Sequence, residues 1–373
     1  MSNQNNNNLE EVWKNGNAAD FEEALQAGAK INKKNVFGET PLMIALDHNQ
    51  NVEAIKILLE NNADVNARDK NEVTPFMRAV ETQQDPEFIR LLIDKYNANL
   101  RAADIGSNTP LIRAVAANDN PEIILLLIEK GSAVNRRNIR GRTAISYAAE
   151  RSEHTEIIEL LIEKGARLDQ TDEDEDFTPL FWAANQNENL EIIKFLIDKN
   201  ADVEKITNRG LNILMVAASG NKNPEILQYF IEEHNKEIDS EDRLGRNTLY
   251  YALAENANAE ITKYLLEQGA SVEARFENGE FIPLKIAAMH NENPEVIKIL
   301  LDYGAELETK DSQGRTPLTN AAWAGNPYSI PVLLEHGADP HIEDLDGNTA
   351  YSFIENKPLF KGYDFYDELI EDE

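Results

Sequence analysis

The sequence predicts an all-α solenoid of helix-turn-helix units with projecting β-turn fingers, capped at both ends. Three observations carry this. One short motif recurs at an almost constant interval, an alanine occupies one fixed place in nine of its copies, and the second half of each copy has the apolar stripe of an amphipathic helix.

Taken in order, residues 1–8 are Asn-rich and read as a disordered start. Residues 9–37, with LEEVWKNGNAADFEEALQAGAKIN, supply two helices without the repeating motif and read as an N-terminal cap whose core Trp13 closes. Residues 38–346 hold nine repeats. The apolar residue after each Thr-Pro-like dipeptide is Leu42, Phe76, Leu111, Ile145, Leu180, Leu214, Leu249, Leu284, Leu318 and, in a last partial copy, Tyr351, at spacings of 33 to 35 residues. Three residues beyond each of the first nine lies alanine, from Ala45 to Ala321. A small side chain at one helical position lets neighbouring helices approach closely in every layer.

The second helices read VEAIKILLE, PEIILLLIE or PEVIKILLD, with proline or an acidic residue in the first turn and a Gly-Ala ending that caps the last. Extended arms such as NARDKNEVTP follow, each with a turn at its tip. Residues 347–373 begin one more unit and then leave the pattern, forming an acidic C-terminal cap. Its YDFYDELIEDE reads as a short helix packed by Phe365 and Leu369. A unit of this kind cannot bury its own apolar faces, so stacking makes one continuous domain from segments that length alone would divide into two or three.

At these motifs the chain resembles the ankyrin repeat, with its Gly-x-Thr-Pro-Leu start, Ala-rich first helix, Leu-Leu second helix and Gly-Ala-Asp-Val-Asn ending. The resemblance spans nearly the whole chain. Two departures stand out. The histidine usual after the anchor is replaced by Met43, Met77, Ile112, Ser146, Phe181, Met215, Tyr250, Lys285 and Thr319, so its hydrogen bonds must be replaced or lost. The inter-helix turn is lengthened to forms such as NDNPE, NKNPE and NENPE, which look like those of bacterial ankyrin arrays.

Composition narrows the function. With 67 acidic and 36 basic residues the formal charge is −31, which disfavours binding to nucleic acid or anionic membranes, since both need cationic surface. There is no cysteine, so disulfides, thiolate metal sites and cysteine nucleophiles are out. The first residues lack the basic and apolar regions of a secretory signal, and no apolar run is long enough to span a bilayer. A cytoplasmic location is expected, although delivery into another cell would leave no readable trace. No phosphate loop, zinc helix or serine elbow is present and the six histidines are scattered, so neither an enzyme nor a cofactor or metal is expected. DQTDEDED (169–176) lacks the alternation of a calcium loop and reads as a solvated acidic finger.

The resemblance implies a protein partner, held in a concave groove of first helices and fingers by a monomeric array that inhibits, recruits or scaffolds it. The residue before each Thr-Pro or its equivalent is expected at a fingertip: Arg142, Phe177, Leu211, Arg246 and Phe281 lie in this row. Two residues after each anchor runs a second, varied row that includes Arg113, Tyr147, Trp182 and Tyr251, expected to face the groove, with Trp323 at the far end of its helix. Arginine and aromatic residues dominate interface energetics when desolvated. Residues 101–151 carry eight basic and five acidic side chains, and in RRNIRGR (136–142) four arginines fall within seven residues. Arg113, Arg140 and Arg142 either converge on an external anion or pair with neighbouring acids. An alternative function is that of an acidic nucleic-acid mimic occupying a basic protein, whose binding would weaken steeply with salt.

Overall fold

The Thr-Pro pairs start helices for a local reason. The hydroxyls of Thr40, Thr74, Thr109 and Thr316 accept from the backbone N–H three residues on, at 3.2–3.4 Å, while proline fills the first helical position, where no donor is needed. Asn212 and Asn247 do the same where threonine is missing. In a computed structural model, which describes residues 2–49, 51–276, 282–355, 357–360, 362 and 363 (side chains from residue 9 on), these starts yield the expected pairs. First helices run Pro41–His48, Pro75–Thr82, Pro110–Ala117, Ala144–Arg151, Pro179–Gln186, Ile213–Gly220, Thr248–Glu255, Pro283–His290 and Pro317–Ala324. Second helices run Val52–Glu60, Pro86–Asp94, Pro121–Glu129, Glu156–Glu163, Leu190–Asp198, Pro224–His234, Ala259–Glu267, Pro294–Asp302 and Ser329–Glu335.

The chain divides into two compact units, Met1–Leu180 with Asp198–Ala201, and Phe181–Ile197 with Asp202–Glu373. Within each, a first helix packs on the first helix of the next repeat and a second helix on the next second helix. All nine of the recurring alanines are fully buried, and so are Leu42, Phe76, Leu214 and Leu284 among the anchors. Each such Leu or Phe contributes roughly 1.5–3 kcal/mol on leaving water. In the N-terminal cap Trp13 is buried edge-on to Phe21, with ring centroids 5.0 Å apart. The cap's first helix runs Ser2–Asn15, so residues 2–8, expected to be disordered, continue the helix that Trp13 anchors. At the other end a short helix Ala350–Ile354 and a turn Pro358–Phe360 cover the last repeat. The helix expected around Phe365 and Leu369 lies outside the described residues.

The lengthened inter-helix turn has a physical role. In five repeats the asparagine that opens this turn, followed two residues on by a second asparagine in all but the case of Asn326, is buried, and its side-chain amide reaches back to two carbonyls of the preceding repeat. Asn221 donates to Ala184 and Asn187, Asn256 to Ala218 and Asn221, Asn291 to Leu253 and Asn256, and Asn326 to Ala288 and Asn291, all at 2.7–3.1 Å. In the first unit Asn118 does so to Val80 and Gln83. The second asparagine caps the next helix and also donates back, as Asn258 does to Lys222 at 2.6 Å. This ladder satisfies backbone groups that the helix ends leave open. Gln83 and Ser152 stand in place of the first asparagine in two repeats of the first unit. The positions of the missing histidine are covered individually: Ser146 and Thr319 bond their helix-capping threonines at 3.2 and 3.0 Å, and Lys285 pairs with Asp311 at 2.7 Å.

Candidate interaction surface

Most of the described fingers are built on one Asx or Thr residue at the base. In Asn138-Ile139-Arg140-Gly141-Arg142 the Asn138 side-chain oxygen accepts from the N–H groups of Arg140 and Arg142, both at 3.0 Å, and its own N–H donates to the Arg142 carbonyl. Asn35, Asp69, Asp242, Asp311 and Asp344 repeat this pattern, Asp172 accepts from Glu175 and Phe177 in a finger one residue longer, and Thr207 closes its finger through a hydroxyl that accepts from Leu211. The chain therefore turns immediately after the Asx residue, in the left-handed region at Gly38, Gly141, Gly210, Gly245, Gly314 and Gly347, and is back at the base four residues on. At Gly38 and Gly210 only glycine also fits, since a Cβ would lie 2.9 Å from the Lys70 nitrogen and 2.8 Å from that of Arg243.

This register corrects the expected fingertips. The residue before Thr-Pro is the returning base, not the tip, and there it meets the core: Arg142 is 7% exposed, and Phe177 and Leu211 are buried with it. Arg246 is half-buried against Asp242, and Phe281 lies outside the described residues. The true tips are the residues between the Asx and the glycine. In the first unit they include Val36, Phe37 (66% exposed), Lys70, Ile105 (64%), Ile139 (62%) and Arg140. In the second they include Leu244 and Leu345. Neighbouring tips are tied by backbone hydrogen bonds: Lys70 to Phe37, Ile105 to Asn71, Ile139 to Gly106 and Glu173 to Arg140 in the first unit, at 2.8–3.2 Å. Arg243 to Arg209 and Leu345 to Gln313 continue the pattern in the second. The tip backbone is thus largely satisfied by its neighbours, and what it presents outward is side chains.

The second expected row has a different job. Five of its members reach the base of their own finger nine residues earlier. Arg78 pairs with Asp69 at 2.8 Å and Arg113 with Asp104 at 2.7 Å. The Tyr147 hydroxyl accepts from Asn138 at 3.0 Å, that of Tyr251 donates to Asp242 at 2.6 Å, and Asn320 donates to Asp311 at 3.1 Å. Where the base is Thr207 the row holds Val216. In these polar pairs the groups are partly or wholly buried, and a buried charge or hydrogen-bonding group needs its partner. Tyr251, 1% exposed, is accordingly not a groove-facing residue. Tyr147 and Trp182 are half-buried, and Trp323 is 46% exposed, stacked over Arg315 at 5.0 Å.

The arginines do not converge. Arg113 lies between Glu81 at 2.7 Å and Asp104, Arg142 pairs with Glu150 and stacks 4.0 Å over the Tyr147 ring, and Arg137 and Arg140 reach Glu173 and Asp174 of the acidic finger at 3.5 and 3.8 Å. Pairing with nearby acids accounts for them, although the exposed Arg140 pair is worth little in water. In the second unit burial would raise the Asp242 carboxyl, but hydrogen bonds from Arg246 and Tyr251 outweigh it and hold the group below its usual range, while burial and Asp242 push the Tyr251 hydroxyl up. Sequence reasoning missed the tips because it anchored on Thr-Pro. The signal was the Asx-x-x-Gly spacing, in which the two middle residues are the ones left outside.

Among the described residues no group of His, Asp and Glu could hold a metal ion, and no helix is long and apolar enough to cross a membrane. Comparison with curated proteins found no match. A family model of three consecutive ankyrin repeats matches residues 9–104, 111–207, 180–276 and 273–344.

Proposed function

Because the chain belongs to the ankyrin-repeat family, whose repeats are protein-protein interaction modules, we propose that it is a non-enzymatic array that binds a protein partner across its fingertips, to inhibit, recruit or scaffold it. The observation that carries this reading is the row of apolar tips in the first unit. Val36, Phe37, Ile105 and Ile139 are exposed, have no core to enter, and stand on a hydrogen-bonded strip that fixes their spacing. Large apolar side chains held out rigidly lose little entropy on binding and gain on desolvation. Arg140 and Lys70 among them give the strip a cationic margin, and Trp323 with Leu345 adds exposed apolar surface in the second unit. Arg142, Phe177, Leu211 and Tyr251 serve by holding the fingers up.

The test is partner capture followed by mass spectrometry with wild type and an Ile105→Ser/Ile139→Ser variant. The variant should stay within about 0.5 kcal/mol of wild-type stability, as exposed substitutions usually do, and lose the partner. Unchanged capture by the folded variant sinks the fingertip reading. The net charge of −31 favours a second reading, an acidic nucleic-acid mimic that occupies a basic protein. It predicts capture that ignores the two isoleucines and collapses as salt rises.

A further inference from the structure

We infer that the recess between the cap helix Ser2–Asn15 and the arm at residues 29–36 receives residues 364–373 of a second copy of this chain, so that copies associate head to tail. The recess has a volume of about 500 Å³. Its apolar lining comes from Leu9 and Trp13 of the cap helix, Val36 of the arm, and Pro41 and Ile44 of the first repeat. Its rim carries Lys30, Lys33 and Lys34, all exposed. Residues 27–38 hold these three lysines and no acidic side chain, in a chain of net charge −31.

Two carboxylates also reach the recess, and both are engaged: Glu10 with Lys14 at 2.8 Å, Glu39 with Arg78 at 3.1 Å. Lys34 donates to the Arg68 carbonyl at 2.7 Å, and Lys30 forms no ion pair among the described residues. The recess therefore offers an apolar floor and a cationic rim, which suits an acidic segment that carries large apolar side chains.

The chain contains such a segment. Residues 363–373, YDFYDELIEDE, hold six acidic side chains and no basic one, with Phe365, Tyr366, Leu369 and Ile370 among them. The segment that docks comes from a second copy, so the contact depends on concentration. A contact between two different surfaces of one chain is heterologous and builds rings or open strings. The contact uses neither Ile105 nor Ile139.

Analytical ultracentrifugation tests this with four samples: wild type, a chain ending at Tyr363, a Lys30→Glu/Lys33→Glu/Lys34→Glu variant, and an equimolar mixture of the two altered chains. Wild type should gain mass with concentration, each altered chain should remain a monomer, and the mixture should form one-to-one complexes that grow no further, because each chain keeps one half of the contact. A labelled peptide of residues 363–373 should bind the chain ending at Tyr363, and about tenfold more weakly when the three lysines are glutamate. Circular dichroism confirms that the altered chains fold. Wild type that stays monomeric, an altered chain that associates as wild type does, or a mixture that stays monomeric overturns the proposal, while the fingertip reading is tested separately at Ile105 and Ile139.

Discussion

Replacing Asn256 by alanine isolates one rung of the asparagine ladder. The side chain is buried; its amide donates to the Ala218 and Asn221 carbonyls at 2.9 and 2.7 Å, and its oxygen accepts from the Asn258 N–H at 2.9 Å. Alanine keeps the backbone, and with it the carbonyl that Asn291 uses, so only these three bonds are lost. At about 1 kcal/mol net for each neutral hydrogen bond, and more where a buried acceptor is left open, the substitution should cost about 3 kcal/mol. Asn258→Ala is the control. That residue is partly exposed, so losing its cap to Glu260 and its bond to Lys222 should cost about 1 kcal/mol. Repeat arrays need not unfold in one step, so the assay is hydrogen exchange of peptides covering residues 213–258, alongside urea unfolding. Equal costs for the two substitutions, or less than about 1 kcal/mol for Asn256→Ala, would refute the ladder as a source of cohesion.

Three further outcomes follow from the same contacts. Arg142→Ala should destabilise the first unit by about 1–3 kcal/mol, because it removes the stack on Tyr147 and leaves the half-buried Glu150 only Arg151, at 3.2 Å, as a partner, and a thermal melt that is unchanged would contradict its placement at the finger base. Asp242 has a folded-state pKa below its ordinary value, so its stabilisation is complete above that ordinary value, near pH 4, and is lost as pH falls through the lower folded one. Asp242→Asn should therefore flatten the acid limb of the stability profile in the second unit, and an identical acid limb in variant and wild type would count against the Arg246 and Tyr251 bonds. Gly210→Ala should cost more than about 1 kcal/mol, measured by urea midpoint, since the residue sits at φ +90 and the new methyl meets the Arg243 nitrogen at 2.8 Å; a neutral result would show that the two fingers part readily.

The sequence by itself determined the repeat period, the helix starts at Thr-Pro, the buried alanine row and the cap core at Trp13. Those features depend on neighbours within a few residues and on a pattern repeated in every layer, so one chain contains many copies of the same evidence. It also held the ladder asparagines in plain view, but not their partners, which lie some 35 to 38 residues earlier and are backbone carbonyls that no side chain announces. Tertiary structure alone decided which side of each finger faces out. Within a five-residue turn, inside and outside are set by which N–H groups the Asx oxygen accepts, so Arg142 and Arg140, two residues apart and chemically identical, end as a buried strut and a surface charge. It likewise decided that Tyr251 and Arg113 answer to the aspartates of their own fingers, because only folding brings the base of a finger against the helix that follows it and removes the water that would otherwise satisfy both.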